Sequence, residues 1–200
     1  TYFPRYFATS AISLYILLMI VCTVLFQAAL PLIWLFSGVI QVVLFFICLN
    51  QISLKWSRIR EISFKKKLFG VALTLRLIYV VFSYFFYQHM TGQPFEFEAA
   101  DAVGYHFEAI WLNHLIQAGR FDVYVDYIAG NYSDAGYPFY LSVIYFIFGP
   151  QIIVPRIIKA LLSAITCVLI YKIAARNFGE KVGRIAGVAA LLSPNLVYYC

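Results

Sequence analysis

Four runs of about 20 apolar residues constrain this chain more than any other feature. They extend from about Tyr6 to Gln27, Ala29 to Asn50, Leu68 to Gln88 and Val154 to Ala175. A helix rises about 1.5 Å per residue, so each run matches the thickness of a bilayer core. A shorter run, Pro138–Phe148, stops at Gly149-Pro150, and another begins near Val182. A soluble domain carries about a quarter charged residues, whereas this chain has 12%. The expected fold class is all-α: a polytopic transmembrane helical protein with an extracytoplasmic loop containing a membrane-surface helix. The first run exceeds the h-region of a secretory signal. The missing initiator Met, and Cys200 lying inside an apolar segment, lead us to expect part of a longer protein.

The charges are unevenly placed. Six of the fifteen basic residues fall between Lys55 and Lys67, and seven of the nine acidic residues fall in 88–137. Basic clusters beside spans mark the cytoplasmic side. The +6 net charge therefore points to membrane orientation, and we expect no nucleic acid partner. Residues 1–54 read as an N-terminal transmembrane hairpin, turning near Gln27–Pro31. Residues 55–67 read as a basic cytoplasmic loop, and loop 88–137 falls on the non-cytoplasmic side, as in a bacterial inner membrane or an ER membrane. One conflict follows. If Pro138–Phe148 crosses, then Lys172, Arg176, Lys181 and Arg184 land outside; alternatively, the short run dips in without crossing.

Loop 88–137 is long enough to hold structure of its own. Val103, Phe107, Ile110, Trp111 and Leu115 recur at helical spacing opposite Asp101, Glu108 and Asn113. This pattern predicts a helix from about Asp101 to Ala118, ending near Gly119 and lying on the membrane surface. An irregular stretch then leads to re-entry at Gly136-Tyr137-Pro138. Asp101, Tyr105 and Glu108, spaced four and three apart, share one face. A carboxylate there can accept a proton from a hydroxyl or hold a divalent cation; a solvated polar face is the plain alternative.

From Leu68 onward the ordered features resemble the start of the GT-C superfamily of integral membrane glycosyltransferases. The likeness is nearest to its protein-mannosyltransferase and lipid A aminoarabinose transferase group. The elements are Asp101-Ala-Val-Gly-Tyr105, Ala109, Gln117-Ala118-Gly119, Gly136-Tyr137-Pro138, the aromatic run closing at Gly149, Arg156, Arg176-Asn177-Phe178-Gly179 and Pro194. Two features depart from the family pattern: Ala102 stands where many members have a second acid, and Ser133-Asp134 stands near the position of a Lys-Pro element. The resemblance makes 68–200 the start of a GT-C-like core. It implies sugar transfer from a polyprenyl-phosphate donor to a lipid, glycan or protein acceptor at the bilayer. It also implies an inverting displacement with Asp101 as base. An oxocarbenium-like transition state and a departing phosphate are the charges to be stabilised. Tyr105, Glu108, Arg120, Asp134, Tyr137, Arg76 and Arg156 are the accompanying substrate-binding candidates. No metal ligands are assigned, and a divalent cation is left open as cofactor.

Other residues read more plainly. Arg76, mid-span, is costly and so functional by default, with a structural role the alternative. His89, His106 and His114 lack ligand spacing. Cys22, Cys48, Cys167 and Cys200 read as packed thiols. Asn131-Tyr132-Ser133 is a glycosylation acceptor only in a eukaryotic lumen. Asp122 and Asp126 read as solvated. Two other function classes compete with the enzyme: a transporter, with Arg76 as a pathway charge, and a non-catalytic membrane scaffold subunit.

Overall fold

A computed structural model describes residues 5–26, 32–97, 100–131 and 134–198. The described residues form helices α1 (Arg5–Phe26), α2 (Leu32–Trp56), α3 (Glu61–Thr91), α4 (Ala100–Gln117), α5 (Phe121–Asn131), α6 (Gly136–Phe148), α7 (Ile153–Phe178), α8 (Glu180–Leu192) and α9 (Pro194–Tyr198). No strand is present among them. Four helices are long and apolar enough to cross a membrane: Tyr6–Phe26, Ile33–Trp56, Glu61–Thr91 and Ile153–Phe178. The fold is that of an all-α polytopic membrane protein. The expected turn at Gln27–Pro31, Tyr132–Ser133 of the glycosylation sequence and Cys200 lie outside the described residues.

Two compact units are defined, Thr1–Ala72 with Ile165–Leu196, and Leu73–Ala164 with Val197–Cys200. In the first, α1 leans on α2, where Tyr15 Oη donates to the Trp34 carbonyl at 2.6 Å. Most apolar side chains of this pair remain exposed, as lipid-facing helices require. The start of α3 meets the end of α7, with the rings of Phe64 and Tyr171 5.0 Å apart. Helix α8 packs close to α7 through glycine. A Cβ at Gly183 would sit 2.5 Å from Ala175 Cβ and 2.7 Å from its Cα. Small residues of this kind let backbones approach where lipid supplies no hydrophobic drive.

The expected basic loop 55–67 is mostly helical. Only residues 57–60 separate α2 from α3, and Lys65, Lys66 and Lys67 ride on the first turns of α3. Their ends curl over rings: Lys67 Nζ lies 5.1 Å from the Trp56 centroid and Lys65 Nζ 5.9 Å from that of Tyr171. Long amphipathic stems allow a span to continue past the point where charge begins. Cys167 is buried as expected, but Cys48 is exposed, because α2 has an open apolar face there.

In the second unit the end of α3 meets the start of α7. Arg156 Nη2 donates to the Pro94 carbonyl at 2.7 Å, and Arg76 Nε donates to Ser163 Oγ at 2.7 Å. Helix α6 has 13 residues, about 20 Å at the helical rise. Its opening Tyr137 touches α4 at Tyr105, its closing turn touches α4 at His106, and the chain then starts α7 beside Pro94. Within this unit, therefore, α6 packs along α4 and the chain comes back to the end of α3 where α7 starts.

Candidate active site

Helix α4 ends as its sequence requires. Gly119 adopts φ 69°, its N–H bonds to the Ile116 carbonyl at 3.1 Å, and the Arg120 N–H bonds to the Leu115 carbonyl at 2.9 Å. This paired closure favours glycine at the left-handed position. The face that packs differs from the expected stripe. Ala109, Leu112 and Asn113 are buried, whereas Phe107 is 58% and Trp111 38% exposed. Ala109 explains the difference: its small side chain lets α6 press Leu141, Ile144 and Tyr145 against α4. Bulky Phe107 would hold the helices apart.

That packing sets the polar groups. Tyr105 Oη donates to Asp134 Oδ2 at 3.0 Å. The Tyr105 ring stands edge-on to Tyr137 at 5.2 Å, Tyr137 stacks on Tyr140 at 6.0 Å, and Lys159 Nζ sits 5.6 Å from the Tyr137 centroid. The Tyr105 hydroxyl is held above its ordinary value, first by its bond to Asp134, then by burial and by the charges of Asp134, Asp101 and Glu108. It stays protonated at neutral pH and continues to donate. Asp101 is exposed one turn before Tyr105, and its carboxylate makes no hydrogen bond with the described residues.

Glu108 points into the protein, with Oε1 buried and lacking a hydrogen-bond partner; Tyr140 Oη is in the same state. Buried polar atoms of this kind call for a partner from outside. Beside them Tyr124, 2% exposed, donates to the Ala135 carbonyl at 3.0 Å. Burial, and then the charge of Glu108, raise its hydroxyl. Tyr124 belongs to α5, which occupies part of the stretch expected to be irregular. The stripe Phe121, Tyr124, Val125 and Ile128 folds that stretch into a helix whose Tyr127 packs at 5.2 Å on Trp111.

The other expected residues divide. Arg156 lies at the start of α7, with Nη1 3.5 Å from Ser83 Oγ besides its Pro94 bond. Arg76 is fully buried and reaches Ser163. Arg120 is exposed past the end of α4, its side chain making no hydrogen bond or ion pair to the described residues. Lys159 was not anticipated from the sequence, although its spacing of three from Arg156 puts both on one side of α7. The pair His106 Nδ1 and Tyr145 Oη, 2.8 Å apart, was also not anticipated. Burial lowers the His106 pKa, so the ring is neutral at pH 7. Among the described residues, no group of three His, Cys, Asp or Glu is arranged to hold a metal ion.

No curated protein matches the chain, and no solved structure matches it. The match found begins where the site itself begins, at the Gly-Tyr-Pro step opening α6: residues 136–200 match the family model for dolichyl-phosphate-mannose-protein mannosyltransferase, a GT-C family.

Proposed function

We propose that this chain carries the donor-side half of a GT-C glycosyltransferase site. That site moves a sugar from a polyprenyl-phosphate donor to a lipid, glycan or protein acceptor. The family match over 136–200 supports a glycosyltransferase of this type. The observation that carries the finer reading is the group built on Tyr137. Its ring lies between Tyr105, which is bonded to Asp134, and the ammonium of Lys159.

Each part then has a task. Asp101, exposed and one turn from Tyr105, takes the proton of the acceptor hydroxyl as its oxygen attacks the anomeric carbon. The carbon–phosphate oxygen bond breaks on the opposite face, so the anomeric centre inverts. Negative charge grows on the departing phosphate, where a fixed cation stabilises the transition state more than the ground state. Lys159 and Arg156 are the cations held nearby, taking the place of the Lys-Pro element this sequence lacks. Asp134 holds the Tyr105 hydroxyl, and the unsatisfied Glu108 Oε1 and Tyr140 Oη are available to sugar hydroxyls. Tyr137 offers a ring face to the sugar. A divalent cation at the phosphate would add to the same stabilisation. The acidic loop faces the non-cytoplasmic side, the periplasm of a bacterium or the ER lumen.

The test is Asp101→Asn in the intact protein, reconstituted in proteoliposomes with polyprenyl-phosphate mannose. General-base catalysis contributes about 10²–10⁴-fold, and a loss of that order is expected. Full transfer by a variant with unchanged melting would remove Asp101 from the mechanism.

A further inference from the structure

The first unit holds a cleft of about 160 Å³ lined by Ser53, Ser57, Glu180, Lys181, Arg184 and Ile185. It is a different place from the proposed catalytic group. Ser53 is only 5% exposed, yet its Oγ has no hydrogen-bond partner. A serine in a helix normally bonds back to a carbonyl of the preceding turn, as Ser57 does to Leu54 at 2.7 Å. A buried hydroxyl without a partner, on a residue that lines a cleft, calls for one from a ligand.

The opposite wall comes from the first turn of α8. Gly179 provides no side-chain cap, and the first intrahelical bond of the turn is that of the Gly183 N–H. The N–H groups before it are the orphans of a 13-residue helix and favour an anion. Arg184 is held rigidly over this turn. Its Nε bonds to Glu180 Oε1 at 2.7 Å, and its Nη1 bonds to the carbonyls of Trp56 at 2.9 Å and Ser57 at 3.1 Å. Glu180 is the one carboxylate in the lining. It is engaged by Arg184 and by Tyr171 Oη, 2.9 and 2.8 Å from its two oxygens. Lys181 is exposed at the rim. Two cations, a helix N-terminus and an unsatisfied hydroxyl thus face one neutralised carboxylate.

We infer that this cleft binds a phosphate group, with Ser53 Oγ and the α8 N–H groups as donors and Lys181 and Arg184 as counter-charges. The cleft lies where α2 ends and the basic residues begin, so an anionic lipid headgroup and a free phosphate are the two sources of this chemistry. The test measures thermal unfolding of the chain in phosphatidylcholine nanodiscs, in nanodiscs that also contain phosphatidic acid, and in phosphatidylcholine nanodiscs titrated with inorganic phosphate. A shift only with phosphatidic acid supports the lipid source, and a shift with inorganic phosphate supports the soluble one. In either case Lys181→Gln should weaken apparent binding about fivefold, the worth of one cation near a surface. Ser53→Ala should weaken it by a similar factor without removing any charge. Lys66→Gln, equally basic but outside the lining, should have the smaller effect. Two results would overturn the site: no shift in either arm, or a shift that Ser53→Ala leaves intact while Lys66→Gln and Lys181→Gln reduce it equally. The second result would reveal a diffuse basic surface. Melting in phosphatidylcholine alone verifies that each variant folds.

Discussion

The two units treat charge in opposite ways. In the first, Glu61 pairs with Lys65 and Glu180 with Arg184, and these are the ion pairs found among the described residues. In the second, Asp101 is open, Glu108 keeps an oxygen without a partner, and Asp134 takes a tyrosine hydroxyl rather than a cation. Lys159 lies nearby, over a ring. Paired charges at a helix junction hold a turn in place and contribute little net stability. Carboxylates left without a cation partner retain a field that a substrate can use. The proposed catalytic role of the second unit rests on this difference in charge pairing.

The largest effect that could break this contrast is on catalysis. Lys159→Ala should lower transfer about a hundredfold, the range for removing one stabilising donor from a transition state, with no change in melting. A drop in melting with little loss of turnover would make Lys159 a packing residue. Next comes the first unit. Gly183→Ala puts a methyl within 2.8 Å of Ala175 backbone atoms, and overpacking of this kind costs about 1–3 kcal/mol. Thermal unfolding should show that cost, while transfer per folded molecule stays unchanged. Tyr124→Phe removes one of the two donors to the Ala135 carbonyl, which keeps the Phe139 N–H, and should cost about 1 kcal/mol, read by the same unfolding measurement.

The smallest effect is one of pH. The His106 pKa is lowered from 6.5 by burial, so the unfolded chain binds the proton more readily than the folded one. Stability is complete above pH 6.5, falls as the pH drops below it, and levels off below the folded pKa. His106→Gln should flatten melting temperature against pH over that window. An unchanged slope would mean that His106 does not titrate differently on folding.

The spans were legible because hydropathy reports length directly. The four long runs became α1, α2, α3 and α7. Their ends were less clear. Lys55 and Lys65 sit on helices whose stems stay apolar, so charge marked the interface and not the helix end. Helix α4 was readable as about Asp101 to Ala118, within a residue of its ends at either side, but its packed face was not. A stripe of large residues predicts burial only if the partner can reach it, and Ala109 decided which side α6 could approach. The face holding Tyr105 was legible from spacing. Its bond to Asp134, 29 residues away, was not, because it depends on α5 turning the chain back. Arg120, the cation nearest in sequence, stayed at the rim, and Lys159 arrived from another helix.

Arg76 has a mechanical consequence. Two apolar helices in lipid can slide along one another with little penalty, since each methylene finds an equivalent neighbour one turn away. The guanidinium of Arg76, wholly buried and bonded to Ser163, gives the ends of α3 and α7 in that unit a single preferred register. A slip of one turn, about 5.4 Å, would strand the charge among aliphatic side chains. The same slip would move Arg156 away from Pro94 and carry Lys159 away from Tyr137. The arginine thus acts as a detent, and the spacing between cation and ring in the site is set from a point deeper in the helix pair.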